Sequence, residues 1–192
     1  MTLLILGLIL WFATHLLAIK APGARAGLTN AVGELPSKGI MAVLTLASVV
    51  LMVKGYQSAD YIELWLAPPF LTHLNNLLML VAIFVFIAGN MPSVIRNKIR
   101  HPQLAAAKIW ALAHLLVNGD VASVILFGGI LAWAVIALIG TNKRDGKPPL
   151  EKKASILGLG IHAVVALVVY VVVGYIHMWA GIWPFGGDGP PV

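Results

Sequence analysis

The sequence contains no cysteine and little charge. Its 192 residues include no Cys, and only 10% are charged. Without cysteine the chain cannot form a disulfide, a thiolate nucleophile, an iron–sulfur cluster or a cysteine-ligated zinc site. A soluble domain carries about 25% charged residues, so this chain lacks the polar surface of an ordinary soluble globule. An ordinary cytosolic enzyme and a disulfide-stapled secreted module are therefore excluded.

Acidic residues are also scarce, and their positions exclude further classes. None of the seven lies inside an apolar run, and Asp120 lies at the junction of two runs. Ion pumps and cation-coupled transporters usually need a carboxylate within the membrane, and glycosidases use a pair of carboxylates. The sequence also lacks a Walker loop, a nucleophile elbow and a His-Glu-x-x-His zinc motif. These absences disfavour ion-coupled transport and the common hydrolases.

The abundant feature is apolar sequence: 60% of the residues are hydrophobic, and the mean hydropathy is +0.93. Six continuous apolar segments approach the roughly 20 residues that cross a bilayer as a helix. They are Leu3–Ile19, Gly39–Val53, Leu71–Met91, Pro102–Val117, Val121–Gly140 and Ala154–Trp179. We predict an all-α, polytopic membrane protein with about six transmembrane helices in one bundle. Residues 1–180 form the transmembrane domain, and residues 181–192 form an irregular Gly/Pro-rich tail.

The basic residues predict the orientation of these helices. The connections 20–38, 92–101 and 141–153 contain three, three and five of the 13 basic residues. The positive-inside rule places these connections in the cytoplasm and both termini outside. Topology therefore accounts for the net charge of +6, and we expect the lipid bilayer, not nucleic acid, as the partner. The remaining long connection, 54–69, is predicted to lie at the outer membrane interface.

Histidines are the remaining residues that can carry chemistry. His15, His114 and His162 lie within apolar segments, where an ionisable group is costly and therefore a functional candidate. The alternative is a neutral imidazole that hydrogen-bonds across a pair of helices. No two histidines are closer than 13 residues in the sequence, which disfavours a clustered di-iron centre.

The fourth segment carries the most informative pattern. Ala107, Ala111, His114 and Asn118 share one helical face. Small residues beside a histidine admit a flat ligand or the backbone of another helix. A neutral imidazole in an apolar slot suits an axial haem ligand, and plain helix packing remains the alternative. The turn that ends at Asp120 is predicted to cap the next helix.

Two further histidines extend the candidate site. Trp11 and His15 are four residues apart in the first segment, a spacing that suits a porphyrin or polyene slot as well as core packing. In the last segment, Gly158, His162 and Ala166 repeat the small-residue pattern. His162 is therefore the reserve ligand.

Several longer motifs together resemble the NnrU family of membrane proteins, over essentially the whole chain. They are Arg100-His101-Pro102-Gln103, Trp110-Ala111-Leu112-Ala113-His114-Leu115-Leu116, Asn118-Gly119-Asp120, Leu126-Phe127-Gly128-Gly129, Phe12-Ala13-Thr14-His15 and His177-x-Trp179-x-Gly181. That family includes bacterial membrane proteins linked to denitrification, and the 15-cis-ζ-carotene isomerase, which is a haem b protein. The resemblance implies a bacterial inner membrane location, haem b as the cofactor, and His15 and His114 as the iron ligands.

The resemblance also implies a reaction, in which reduction of the iron frees a coordination site that helps to isomerise a double bond of a polyene. The sequence departs from the isomerase at Ala111, where that enzyme has a cysteine implicated in ligand exchange. Three functions therefore stay open. They are a haem-dependent isomerase of a lipid-soluble polyene such as 15-cis-ζ-carotene, a non-catalytic membrane factor that supports nitrite or nitric oxide reduction, and a small transporter. A hydrophobic small molecule fits the first, while the sequence identifies no protein partner.

Overall fold

The computed structural model describes residues 1–90, 94–145 and 156–185. Its helices are α1 Thr2–Lys20, α2 Pro22–Val32, α3 Glu34–Gln57, α4 Phe70–Ala88, α5 Pro102–Val117, α6 Val121–Asp145 and α7 Ile156–Trp179. A short 3-10 helix covers Val94–Asn97. The described residues contain no β-strand, only an isolated bridge between Glu63 and Asp120. The predicted all-α fold is confirmed.

Five helices are long and apolar enough to cross a membrane, namely α1, α3, α4, α6 and α7. Helix α5 is apolar but has only 16 residues, so it is about 24 Å long at 1.5 Å per residue. The hydrocarbon core of a bilayer is about 30 Å thick, and α5 is the shortest of the six helices that correspond to the predicted segments. The chain is therefore a polytopic helical membrane protein.

The helix bounds agree best with the sequence where proline marks a start. Helix α5 has the predicted bounds, because Pro102 occupies its first turn, where a missing N–H is tolerated. Helix α1 extends one residue beyond the predicted segment at each end. The predicted end at Met91 and the predicted start at Ala154 fall outside the described residues.

The first connection differs from the prediction, because residues 20–38 are not a plain loop. Pro22 starts a separate helix, α2, which ends before Gly33. Gly33 has φ +89°, a left-handed conformation that glycine adopts without steric cost. Helix α3 then begins at Glu34 and continues to Gln57, so Lys54 lies in its last turn instead of in a loop.

Contacts between Cα atoms divide the chain into two compact units. The first unit contains α1, α2, α3 and α6, and the second contains α4, α5 and α7. In the first unit, α1 packs against α3 and α6. A Cβ at Gly7 would lie 2.7 Å from Met52 N and 2.8 Å from Ser48 O. This close backbone contact is the way helices associate in lipid, where van der Waals packing replaces the hydrophobic effect.

In the second unit, α4 packs against α5 and α7. Small buried side chains line this packing, namely Ala82, Ala88, Ala106, Ala111 and Ala113. At one end of the α4–α5 pair, the Gln103 side chain donates a hydrogen bond to Gly89 O over 2.9 Å. At the other end, Trp65 N donates to Gly119 O over 3.1 Å, and a Cβ at Gly119 would come within 2.9 Å of the Trp65 carbonyl carbon.

A buried polar network starts α6 and confirms the predicted cap. The Asp120 carboxylate accepts from Ser123 N over 3.0 Å and from the Ser123 hydroxyl over 2.5 Å. The Ser123 hydroxyl proton is already donated to Asp120. The Tyr56 hydroxyl is therefore the donor in its 2.8 Å hydrogen bond to Ser123 Oγ. The network therefore ties α3 to the start of α6.

Replacement of Asp120 with alanine tests this network. The change removes a helix cap, worth about 0.5–2 kcal/mol, and leaves the fully buried Ser123 hydroxyl without its acceptor. We expect the free energy of unfolding to fall by about 1–3 kcal/mol. Denaturation of the protein in detergent, followed by circular dichroism, measures it. Asp60→Ala is the control, because Asp60 is exposed, and equal stability of the two variants would contradict the prediction.

Candidate functional site

In the first unit, Trp11 and His15 form a stacked pair on α1. Their ring centroids are 3.8 Å apart and the planes meet at 25°. His15 Nδ1 lies 3.0 Å from the Trp11 carbonyl oxygen. A carbonyl only accepts, so this hydrogen bond places the imidazole proton on Nδ1 and leaves a lone pair on Nε2. His15 is thus held in the tautomer that ligates a metal through Nε2.

Neighbouring side chains fix the position of the His15 ring. The Thr14 hydroxyl donates to Leu10 O over 2.9 Å and lies 3.1 Å from His15 Nδ1. Trp133 on α6 approaches edge-on, with its centroid 5.2 Å from that of His15 and 5.1 Å from that of Trp11. The ring of His15 therefore has one face covered and its rotation restricted.

The second unit repeats the Trp-x-x-x-His pair on α5. Trp110 and His114 have ring centroids 4.8 Å apart, and His114 Nδ1 lies 2.9 Å from the Trp110 carbonyl oxygen. The same tautomer follows, with the proton on Nδ1 and the lone pair on Nε2. His15 and His114 belong to different units, and each is described within its own.

The other predicted site residues lie on α5. Ala111 is fully buried and Ala107 is half-buried, which leaves little side-chain bulk one and two turns before His114. The Asn118 amide donates to the His114 carbonyl over 2.8 Å. Asn118 therefore closes the end of α5 directly behind the candidate ligand.

Two further histidines of the second unit lie on α7. His162, the reserve ligand, is 1% exposed, and its Nδ1 has no hydrogen-bond partner within the described ranges. His177, which was not a predicted ligand, has Nδ1 2.8 Å from Val173 O. It thus shares the tautomer of His15 and His114.

Neither Trp133 nor Trp110 was predicted from the sequence as a site residue. A signal for Trp110 existed, because Trp110 and His114 have the same spacing as Trp11 and His15. The signal for Trp133 was weaker and consisted of its unusual position. Trp133 lies 12 residues from each end of α6, whereas tryptophan in membrane helices is usually found at the interfaces.

The donor set fits a haem better than a bare metal ion. In the described part of the chain, no group of three His, Cys, Asp or Glu side chains could hold a metal. A porphyrin supplies four ligands of its own, so a single imidazole can serve as a protein ligand to its iron. In both His15 and His114, Nδ1 lies within hydrogen-bond distance of a backbone carbonyl oxygen, a partner that orients many metal-ligating imidazoles.

Comparison with known proteins gives one match. A family model described as "NnrU protein" matches residues 3–184, which is nearly the whole chain. No curated protein and no solved structure matches the sequence.

Proposed function

Because the chain belongs to the NnrU family, we propose that it is a haem b-binding membrane protein to which His15 and His114 supply the iron ligands. The observation that carries the proposal is the repeated Trp-x-x-x-His pair, in which each histidine donates Nδ1–H to the tryptophan carbonyl. Such an acceptor fixes the tautomer, orients the ring and raises the basicity of the ligating nitrogen.

The side chains around each histidine prepare it for a flat apolar group. Trp11 stacks on His15, which excludes water from one face of the imidazole and limits its rotation. On α5, Ala107 is half-buried, and its short side chain would allow a planar ring to approach the face that carries His114. Asn118 holds the His114 carbonyl, so the backbone that carries the ligand is fixed.

The activity that we propose is cis–trans isomerisation of a lipid-soluble polyene such as 15-cis-ζ-carotene. Bound haem b, held by His15 and His114, would supply a one-electron redox centre. The chain's own contribution is to orient the two imidazoles through their Nδ1–H hydrogen bonds and to admit the polyene from the bilayer. Ala111 offers no thiolate as an alternative ligand.

A turnover assay with the haem-loaded protein tests this activity. We expect the protein in lipid nanodiscs to convert 15-cis-ζ-carotene under reducing conditions and to be inactive when oxidised, with the isomers separated by chromatography. Haem-loaded protein that converts no polyene in either state would contradict the isomerase activity. The family's association with denitrification would then favour a non-catalytic membrane factor, identified by co-purification with a nitrite or nitric oxide reductase subunit.

A further inference from the structure

Two buried hydrogen-bond donors in the first unit have no acceptor. Trp11 Nε1 and Trp133 Nε1 are both buried and unpaired among the residues described, and Trp133 is only 8% exposed. An indole N–H is a donor only, and a buried donor without a partner is costly enough to be rare in folded proteins. Two of them on neighbouring rings indicate an acceptor that the described residues do not provide.

The two indoles and His15 form one aromatic cluster, defined here as Trp11, His15 and Trp133. All three ring pairs are in contact, with centroids 3.8, 5.1 and 5.2 Å apart. The cluster combines two N–H donors with the Nε2 lone pair of His15. The cluster therefore offers both hydrogen-bond donors and an acceptor, and these groups lie beside flat aromatic faces.

The cluster lies well within its helices, away from their ends. Trp133 is 12 residues from either end of α6, or about 18 Å along the helix axis. Tryptophan normally lies at the membrane interface, where its N–H reaches water or a headgroup. No charged residue lies between Leu3 and Ile19 or between Val121 and Thr141, so these two helix stretches offer the indole donors no carboxylate acceptor.

We propose that the aromatic cluster binds the oxygen atoms of a flat, conjugated, lipid-soluble ligand, with the indole N–H groups of Trp11 and Trp133 as donors. Acceptor oxygens match the donors, and a conjugated ring matches the aromatic faces. Two ligands share this chemistry. One is haem b, which carries carboxylates, and in that case the inference rests on the proposed function. The other is a membrane quinone, whose binding does not require the proposed haem function.

The experiment uses the full chain, produced without haem and incorporated in lipid nanodiscs. The probes are gallium protoporphyrin IX, its dimethyl ester and a decyl-substituted benzoquinone. Labelling with ¹⁵N-tryptophan gives one indole signal for each of the six tryptophans, and Trp11→Phe and Trp133→Phe assign the two of interest. Trp179→Phe is the control, because Trp179 is 90% exposed.

We expect the Trp11 and Trp133 indole protons to shift downfield and to become protected from exchange when a probe binds. Each Trp→Phe change in the cluster, which keeps an aromatic ring and removes the donor, should weaken binding about tenfold for a carboxylate acceptor and about threefold for a carbonyl acceptor. Trp179→Phe should leave the affinity unchanged. These shifts in the wild-type protein report the hydrogen bonds even where a variant folds poorly.

The probes separate the sources of the acceptor. If haem supplies it, esterification of the porphyrin should reduce the effect of the Trp→Phe changes. If the porphyrin does not bind but the quinone binds and shifts both indole signals, the proposed haem function fails while the site stands. Unchanged indole signals with every probe, or wild-type affinities in both Trp→Phe variants, would overturn the inference.

Discussion

Replacement of His114 with alanine is expected to remove most of the haem from the purified protein. The change deletes the Nε2 ligand that the Trp110 carbonyl orients. Removing only the hydrogen-bond partner of a metal ligand lowers the metal affinity by about 10–100-fold. Removing the ligand itself should lower the affinity at least as much. The measurement is the haem absorbance per unit of protein in the wild type, His114→Ala and His15→Ala.

Two comparisons separate ligation from packing. His73→Ala should keep the wild-type spectrum, because His73 is exposed in the first turn of α4. Exogenous imidazole should restore the absorbance of His114→Ala, since it fills the space of the deleted ring and supplies the same nitrogen. Wild-type haem content in both His114→Ala and His15→Ala would contradict the assignment of these histidines.

A methyl group at Gly55 is expected to be the most disruptive small change in the first unit. A Cβ there would overlap the backbone nitrogen of Leu4 and lie 2.6 Å from Leu4 Cα. Because the obstacle is backbone, α1 and α3 must separate, and overpacking of this kind costs about 1–3 kcal/mol. We expect Gly55→Ala to lower the melting temperature in detergent by about 5–10 °C.

The matched control is Gly128→Ala, in the middle of α6. No described atom lies within 4 Å of the position its Cβ would take, and alanine is favoured over glycine within a helix by about 0.5–1 kcal/mol. Gly128→Ala should therefore keep or slightly raise the melting temperature. Equal melting temperatures for the two variants would show that α1 and α3 do not make this close contact.

The helices could be predicted from the sequence because continuous apolar runs admit little else in lipid. Helix α5 was predicted with its observed bounds, since Pro102 marks its start. Helix α2 was missed, because its composition of small and polar residues resembles a connection and gives no apolar signal. The cytoplasmic placement of the basic loops rests on the positive-inside rule, and the inner-membrane location rests on the resemblance to the NnrU family. Both stay predictions.

The candidate site could be predicted only where it depends on local spacing. The Trp11–His15 contact follows from residues four apart on one helix, and so does the hydrogen bond from His15 to the Trp11 carbonyl. Trp133 reaches the same cluster from α6, and a contact between residues so distant in the sequence depends on how α1 and α6 pack. No local pattern contains that information, nor does one show which indole N–H groups lack an acceptor.

The most direct test of the account is the absorption spectrum of the wild-type protein, purified in detergent from haem-replete cells, together with its haem b content. We expect a coloured protein with a haem b content close to one per chain and the low-spin spectrum of iron held by two imidazoles. A correctly folded, colourless protein from the same cells would contradict it.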